Sequence, residues 1–323
     1  MTEIVAVDIG GTHARFALAE VERGRVASLG EACTLKTAEH ASLQTAWEDF
    51  GREVGRPLPS AASIAVAGPI QGDVLKLTNN PWVIRPASIP AKLGTSRYAL
   101  VNDLGAVAHA VAQLDDVHFR QICGPDIPLP ENGVVSIVGP GTGLGVAQLL
   151  RRNGHYHVIE TEGGHIDFAP VDTLEDQILS HLRKRYRRVS AERVASGMGL
   201  ANIYEALADI EGRPAQFRDE KALWKAALSG EDSLAAAALD RFCLALGTLA
   251  GDIALAQGAS AVIIAGGVGL RVADHLPRSG FRDRFISKGR FERMMGEMPV
   301  KLITHPQPGL FGAAAAFAEK FGQ

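Results

Sequence analysis

Short apolar, β-branched runs alternate with glycine or polar turns along the first third of the chain. Ile4 to Gly10 is apolar except for one carboxylate, Asp8, and predicts a buried strand. Gly10-Gly11-Thr12 predicts a turn, Ala14 to Glu20 a second strand, Glu22-Arg23-Gly24-Arg25 another turn, and Val26 to Leu35 a third strand. Ala41 to Gly55 carries Leu43, Trp47, Phe50 and Val54 at helical spacing. Ala61 to Val66 predicts a strand ending at Gly68-Pro69. Tyr98 to Asn102 predicts a strand running into Asp103, with an alanine-rich helix, Leu104 to Leu114, behind it.

The pattern then restarts. Gly133 to Val138 predicts a buried strand, Gly139 to Gly143 a glycine turn, Leu144 to Leu150 a strand, Arg151 to Gly154 a polar turn and His155 to Thr161 a strand. A supersecondary unit that recurs about 130 residues on is too widely spaced for a solenoid and implies two lobes of related build. Thr173 to Arg187 and Ala235 to Gln257 predict helices, Ala261 to Ala265 and Val300 to Thr304 short strands, and Gly309 to Phe321 a closing helix. Alternating strands and helices make the chain α/β. The lobe boundary is expected near residue 113.

Composition narrows the function classes. Of 323 residues, 46% are hydrophobic and 21% charged, a globular balance, and the net charge of −3 carries no basic surplus for nucleic acid or an anionic membrane. The basic run Arg183 to Arg188 holds one aromatic and reads as a solvated helix face. Cys33, Cys123 and Cys243 are far apart and odd in number, which suits reduced thiols in the cytoplasm and no zinc cluster. The N-terminus lacks the features of a signal peptide. Ile253 to Leu270 is uncharged, but Gly258 and the Gly266-Gly267-Val268-Gly269 run break it into a helix end, a turn, a buried strand and a glycine loop.

Several segments carry candidate chemistry. In Val7-Asp8-Ile9-Gly10-Gly11-Thr12 the glycines let backbone N–H groups approach a phosphate, and Asp8 is placed to hold a hydrated Mg²⁺; a tight hairpin with a strand-end aspartate reads the same way. Gly139 to Gly145 is a second such turn, with Gly141, Thr142 and Gly143 at its tip; it fits neither G-x-G-x-x-G nor a P-loop. Gly266 and Gly267 follow a strand and could line an adenosine pocket or simply turn the chain into a helix. Asp103 could cap a helix or accept a proton from a sugar hydroxyl. Asn102, Glu162, His165 and Glu192 are the residue types that recognise sugar hydroxyls, although Ser190-Ala191-Glu192 could be a helix start and His165 a core histidine. A metal site from Glu162, His165 and Asp167 is poorly spaced.

Taken in order, these motifs, with Leu77-Thr78-Asn79-Asn80-Pro81-Trp82, Ile264 to Gly267 and Pro308-Gly309-Leu310-Phe311-Gly312, resemble the bacterial glucokinase family of the hexokinase, Hsp70 and actin-like ATPase superfamily. The resemblance implies two ribonuclease-H-like lobes with a cleft between them: residues 1–113 plus 304–323 in the small lobe, and 114–303 in the large one. It implies Asp103 as general base, Asn79, Asn102, Asp103, Glu162, His165 and Glu192 as sugar ligands, and Mg-ATP held at the glycine turns. The implied reaction is phosphorylation of glucose at O6, the first step of glycolysis. A kinase for fructose or mannose and a catalytically silent sugar-binding regulator are the alternatives. The expected partners are glucose and ATP, with a homodimer as a candidate assembly and neither nucleic acid nor membrane. His13 departs from the family pattern, which often carries Asn there.

Overall fold

The computed structural model describes residues 1–77, 80–217 and 219–322. The chain divides into two compact units: Met1–Asp115 with His305–Gln323, and Asp116–Thr304.

The first unit is built on the sheet β3-β2-β1-β5-β8, formed by β1 (Thr2–Ile9), β2 (His13–Glu22), β3 (Arg25–Leu29), β5 (Ala61–Val66) and β8 (Arg97–Asn102), with β4 (Cys33–Lys36) also on β2. β6 (Leu75–Lys76) and β7 (Val83–Ile84) form a small separate pair. β1 is buried on both faces, and its period of two sends alternate residues to different helices. Val5, Val7 and Ile9 share a core with Trp47 and Phe50 of α1 (Leu43–Val54). Ile4 and Ala6 share one with Leu310, Ala314 and Phe317 of the last helix, α11 (Pro308–Phe321). Each fully buried aliphatic or aromatic side chain contributes about 2 kcal/mol. The short α2 (Ile89–Leu93) and α3 (Asp103–Gln113) complete the unit.

β1, β5 and β8 run parallel, with Ile9 level with Val66 and Val66 level with Asn102. Their carboxyl ends therefore reach one edge of the sheet together. The third strand expected over Val26–Leu35 is instead two, β3 and β4. They pair in tandem with different halves of β2, Ala19–Glu22 and His13–Phe16. The break is at Gly30, whose N–H donates to the Leu18 carbonyl at 2.8 Å. A side chain there would crowd that oxygen at 3.1 Å.

The second unit repeats the plan. Its sheet runs β12-β11-β10-β13-β14-β9, with β9 (Phe119–Cys123), β10 (Gly133–Pro140), β11 (Leu144–Arg152), β12 (His155–Thr161), β13 (Ala259–Ile264) and β14 (Val300–Ile303). As in the first unit, an antiparallel three-strand meander is extended by two parallel strands. The helices are α4 (Thr173–Arg183), α5 (Gly197–Ile210), α6 (Glu220–Ser229), α7 (Ser233–Gln257), α8 (Gly266–Arg271), α9 (Phe281–Ile286) and α10 (Glu292–Gly296). α7 is long and apolar enough to cross a membrane, yet most of its apolar window is buried, with Leu239, Phe242 and Leu246 wholly inside. The uncharged stretch after Ile253 resolves into the end of α7 at a left-handed Gly258, then β13, then α8. The expected helix to Arg187 stops at Arg183. The basic residues beyond it pair with acids of the same unit: Lys184 with Asp209, Arg185 with Glu205 and Arg188 with Asp167.

Candidate active site

In the first unit the glycine turn joins β1 to β2. Gly10 N–H donates to the His13 carbonyl at 2.9 Å. The Gly10 carbonyl accepts from Asn80 Nδ2 at 2.9 Å, the Gly11 carbonyl from Thr37 Oγ1 at 3.0 Å, and the Thr12 carbonyl from Thr37 N–H at 3.0 Å. In a trans peptide the N–H points opposite its carbonyl. Taking up three successive carbonyls thus turns the N–H groups of Gly11, Thr12 and His13 the other way, as an anion-binding turn requires. Asn80 and Thr37 brace the turn from 70 and 26 residues away, beyond the reach of any local motif. The His13 ring lies 3.0 Å from Thr12 Oγ1.

Asp8 lies one turn below, its side chain 18% exposed and its Oδ2 3.3 Å from Arg15 Nη1. Burial raises its pKa, against the opposing pull of Arg15. Among the described residues no group of three or more His, Cys, Asp and Glu forms a cation cage. One buried carboxylate beside a phosphate turn suits Mg²⁺, which keeps its waters and takes further oxygens from substrate phosphates. Val7 and Ile9 are core residues of β1, wholly buried, and serve the turn only by anchoring it.

Asn102 ends β8. Asn102, not Asp103, caps α3: its Oδ1 accepts from Leu104 N–H at 2.9 Å and Gly105 N–H at 3.1 Å, while its Nδ2 donates to the Gly68 carbonyl at 3.0 Å. Asp103 is the exposed first residue of α3, and its Oδ1 accepts from Leu104 N–H at 2.9 Å. Two strand spacings separate β8 from β1, about 10 Å. Asp103 and Gly10 each follow the mutually level ends of these strands. Asn79 lies outside the described residues.

In the second unit Glu162 and His165 sit on the turn after β12, both exposed, with Oε2 and Nε2 3.9 Å apart. That is too long for a hydrogen bond and close enough for one hydroxyl to touch both. His165 is therefore no core histidine. Glu192 occupies a single 3-10 turn, Ala191–Arg193, and its Oε2 accepts from Leu144 N–H at 3.1 Å. The two segments are tied together: Phe168 N–H donates to the Val189 carbonyl at 3.0 Å, and Ala191 N–H to the Ile166 carbonyl at 2.8 Å. Gly164 packs so closely on β11 that a side chain would strike the Leu144 carbonyl.

The tip of the second glycine turn opens on a cavity of about 780 Å³. Gly141, Thr142 and Gly267 line it, with Met198, Phe217, Leu223 and Val268 as apolar walls and Glu220 and Arg271 among its polar groups. Two expected glycines do not line it. Gly143 is turned toward Glu192, and Gly266, at φ 77°, fits against the Pro140 carbonyl, where a side chain cannot. Gly266 opens α8, so the glycine run here starts a helix; a Cβ at Gly267 would meet nothing within 4 Å. The walls come from α5, α6, α8 and the loop before α6, a spread that no local motif signals.

Two glycine hairpins closing sheets of one plan, one of them with a carboxylate at a nearby strand end, define a phosphoryl-transferring kinase of the actin-like ATPase fold. Comparison with known proteins narrows that class. The sequence model of the Glucokinase family matches residues 5–320. A glucokinase of Zymomonas mobilis is 68% identical over 321 residues, covering 99% of both chains, and one of Caulobacter vibrioides is 41% identical over 96% of this chain and 93% of its own. Among solved structures, a glucokinase from an Antarctic psychrotroph superposes with a TM-score of 0.86 at 36% identity, over 98% of this chain and 99% of that one. The chain belongs to the glucokinase family and is an enzyme of ATP-dependent sugar phosphorylation.

Proposed function

We propose that the chain transfers the γ-phosphoryl group of Mg-ATP to O6 of glucose, with Asp103 as general base. The observation that supports this most is the level placement of Asp103 and the Gly10-Gly11-Thr12 turn at one sheet edge. About 10 Å leaves room for a hydroxyl and a phosphoryl group between base and turn.

In this reading Asp103 accepts the O6 proton as O6 bonds to the γ-phosphorus and the bond to the β-phosphate oxygen breaks, releasing ADP. The α3 N-terminus favours the carboxylate's charge, and Asn102 fixes that terminus. On the family resemblance, Asn102, Glu162, His165 and Glu192 are assigned to the remaining hydroxyls. Asn79 is assigned to the sugar on resemblance alone. The 780 Å³ cavity takes adenosine between Met198, Phe217 and Val268, a volume ordinary for such a ligand. The N–H groups of the first turn and Thr142 hold phosphate oxygens. Asp8 would hold Mg²⁺ through water; the ion would supply charge neutralisation on the phosphates. A diffusible sugar and nucleotide as substrates suit a cytoplasmic enzyme, and the name of the Zymomonas mobilis relative, glucokinase, supports glucose over other hexoses.

An ADP-release assay across glucose, mannose and fructose, with Mg²⁺ and with excess chelator, tests the reading. Glucose should give the highest kcat/KM, and chelation should abolish turnover. A higher kcat/KM for mannose or fructose would contradict the assignment of glucose, and undiminished turnover under chelation that of Mg²⁺.

A further inference from the structure

Glu192 touches more than the sugar side of the second unit. Its Oε2 accepts from Leu144 N–H at 3.1 Å, the first amide after the glycine turn that carries Thr142 into the nucleotide cavity. The same oxygen stands 2.6 Å from where a Cβ on Gly143 would lie. Gly143 is thus glycine at a point where no nucleotide needs the space; the carboxylate fills it. The far side of the turn is pinned as well: Gly141 N–H donates to the Gly143 carbonyl at 2.8 Å, and the Gly141 carbonyl accepts from Gly197 N–H at 2.7 Å. Gly197 and Met198 at the start of α5 line the cavity. Between Glu192 and the cavity there are only two residues of a braced turn.

We propose that Glu192 is a positioning residue for the nucleotide turn, and that through it sugar and nucleotide binding are coupled within the second unit. The proposal rests on the reading of Glu192 as a sugar ligand. A hydroxyl that draws on the carboxylate changes the acceptor offered to Leu144 N–H, and the shape of the turn at Gly143 and Thr142 follows. Coupling of this kind is reciprocal: whatever factor glucose exerts on nucleotide affinity, nucleotide exerts on glucose affinity.

Two substitutions at Glu192 separate the roles. Glu192→Gln keeps an oxygen able to accept from Leu144 N–H but loses the charge; Glu192→Ala loses both. The experiment is calorimetric titration of the whole protein with the non-hydrolysable analogue AMPPNP and Mg²⁺, without and with saturating glucose, and of glucose without nucleotide. Glucose should change AMPPNP affinity in the parent and not in Glu192→Ala, and an AMPPNP affinity that glucose leaves unchanged in the parent would overturn the coupling. Glu192→Ala should weaken AMPPNP about fivefold to tenfold, the scale of one lost hydrogen bond in a partly exposed site. Glu192→Gln should stay within about twofold of the parent for AMPPNP while weakening glucose. Gly143→Ala, which puts a methyl group in the place of the carboxylate oxygen, should weaken glucose several-fold although it lies on the nucleotide turn. Unchanged AMPPNP affinity in Glu192→Ala, with glucose weakened, would overturn the positioning role and leave the sugar role standing. Unchanged glucose affinity in both Glu192 variants would remove the sugar role instead. A matching melting temperature confirms that each variant folds, and the Glu192 pair decides the matter if Gly143→Ala does not.

Discussion

The two glycine hairpins close sheets of one topology, yet they are furnished differently. The first stands over a buried carboxylate, Asp8, and its carbonyls are drawn inward by Thr37 and Asn80. Where the first strand carries Asp8, two residues before its turn, the corresponding strand of the second unit carries Gly139. An acid reaches that hairpin from outside, from Glu192, and leans on its far side. The first hairpin is equipped for charge, with the metal ion and phosphate of the proposed reaction beside its proposed base. The second is equipped for shape, with a cavity on one side and the Glu192 carboxylate on the other. The two sheets share a strand plan, while their hairpins carry different side chains.

Substitutions of glycine sharpen that contrast, because the two units use glycine for different reasons. The largest effect is expected at Gly164, where a methyl group would strike the Leu144 carbonyl and push the Glu162–His165 turn off β11. Displacing binding groups by about 1 Å can cost about 10²-fold, so Gly164→Ala should lower kcat/KM for glucose on that scale, read by initial rates. Next comes Gly266→Ala, which combines a left-handed backbone with a clash at the Pro140 carbonyl. It should cost about 3 kcal/mol, visible as a melting temperature lower by several degrees. Gly10 is the opposite case. Its φ is not left-handed, and a Cβ would sit 3.5 Å from the His13 carbonyl, an ordinary contact. Gly10→Ala should therefore melt within about 2 °C of the parent but raise KM for ATP several-fold. A lost melting temperature with unchanged KM would make the first turn structural only.

The smallest effect concerns Asp8. Burial raises its pKa in the folded state above the unfolded value, so the folded protein binds the proton more tightly. Stability from this group is present at low pH and falls as pH rises through the window between the two values. Above that window the buried charge costs stability. Asp8→Asn should therefore melt slightly higher than the parent at pH 7, with the gain shrinking as pH falls toward 4, while Mg²⁺-dependent nucleotide binding weakens. Thermal melts across pH check the first part and titration with Mg-AMPPNP the second.

What could be read from the chain was what is local or periodic. The strand patterns of residues 4–9 and 133–140, the recurrence of strand, glycine turn and strand, and Asp103 at a strand end all follow from spacing within a dozen residues. What could not be read depends on distant contacts. The break at Gly30 arises because β2 is long enough to pair with two strands in tandem. Asn102 rather than Asp103 caps α3, a choice set by the Gly68 carbonyl 34 residues earlier. Past the early end of α4, Lys184, Arg185 and Arg188 pair with acids at positions 209, 205 and 167, contacts that no local pattern signals. Phe217 and Arg271 meet at the cavity wall from separate elements, and Asn80 braces a turn 70 residues away. Motif order was enough to bring out the family resemblance, whereas the roles of single glycines needed coordinates: Gly143 and Gly266 serve packing, Gly141 and Gly267 the cavity.

The most direct test is a single-turnover measurement. Enzyme in excess over radiolabelled ATP, at saturating glucose and Mg²⁺, reports the chemical step apart from product release. Asp103→Ala should transfer phosphate at least about 10²-fold more slowly than the parent, with the affinity for AMPPNP unchanged. Transfer at close to the parental rate would show that the strand-end carboxylate is not the base.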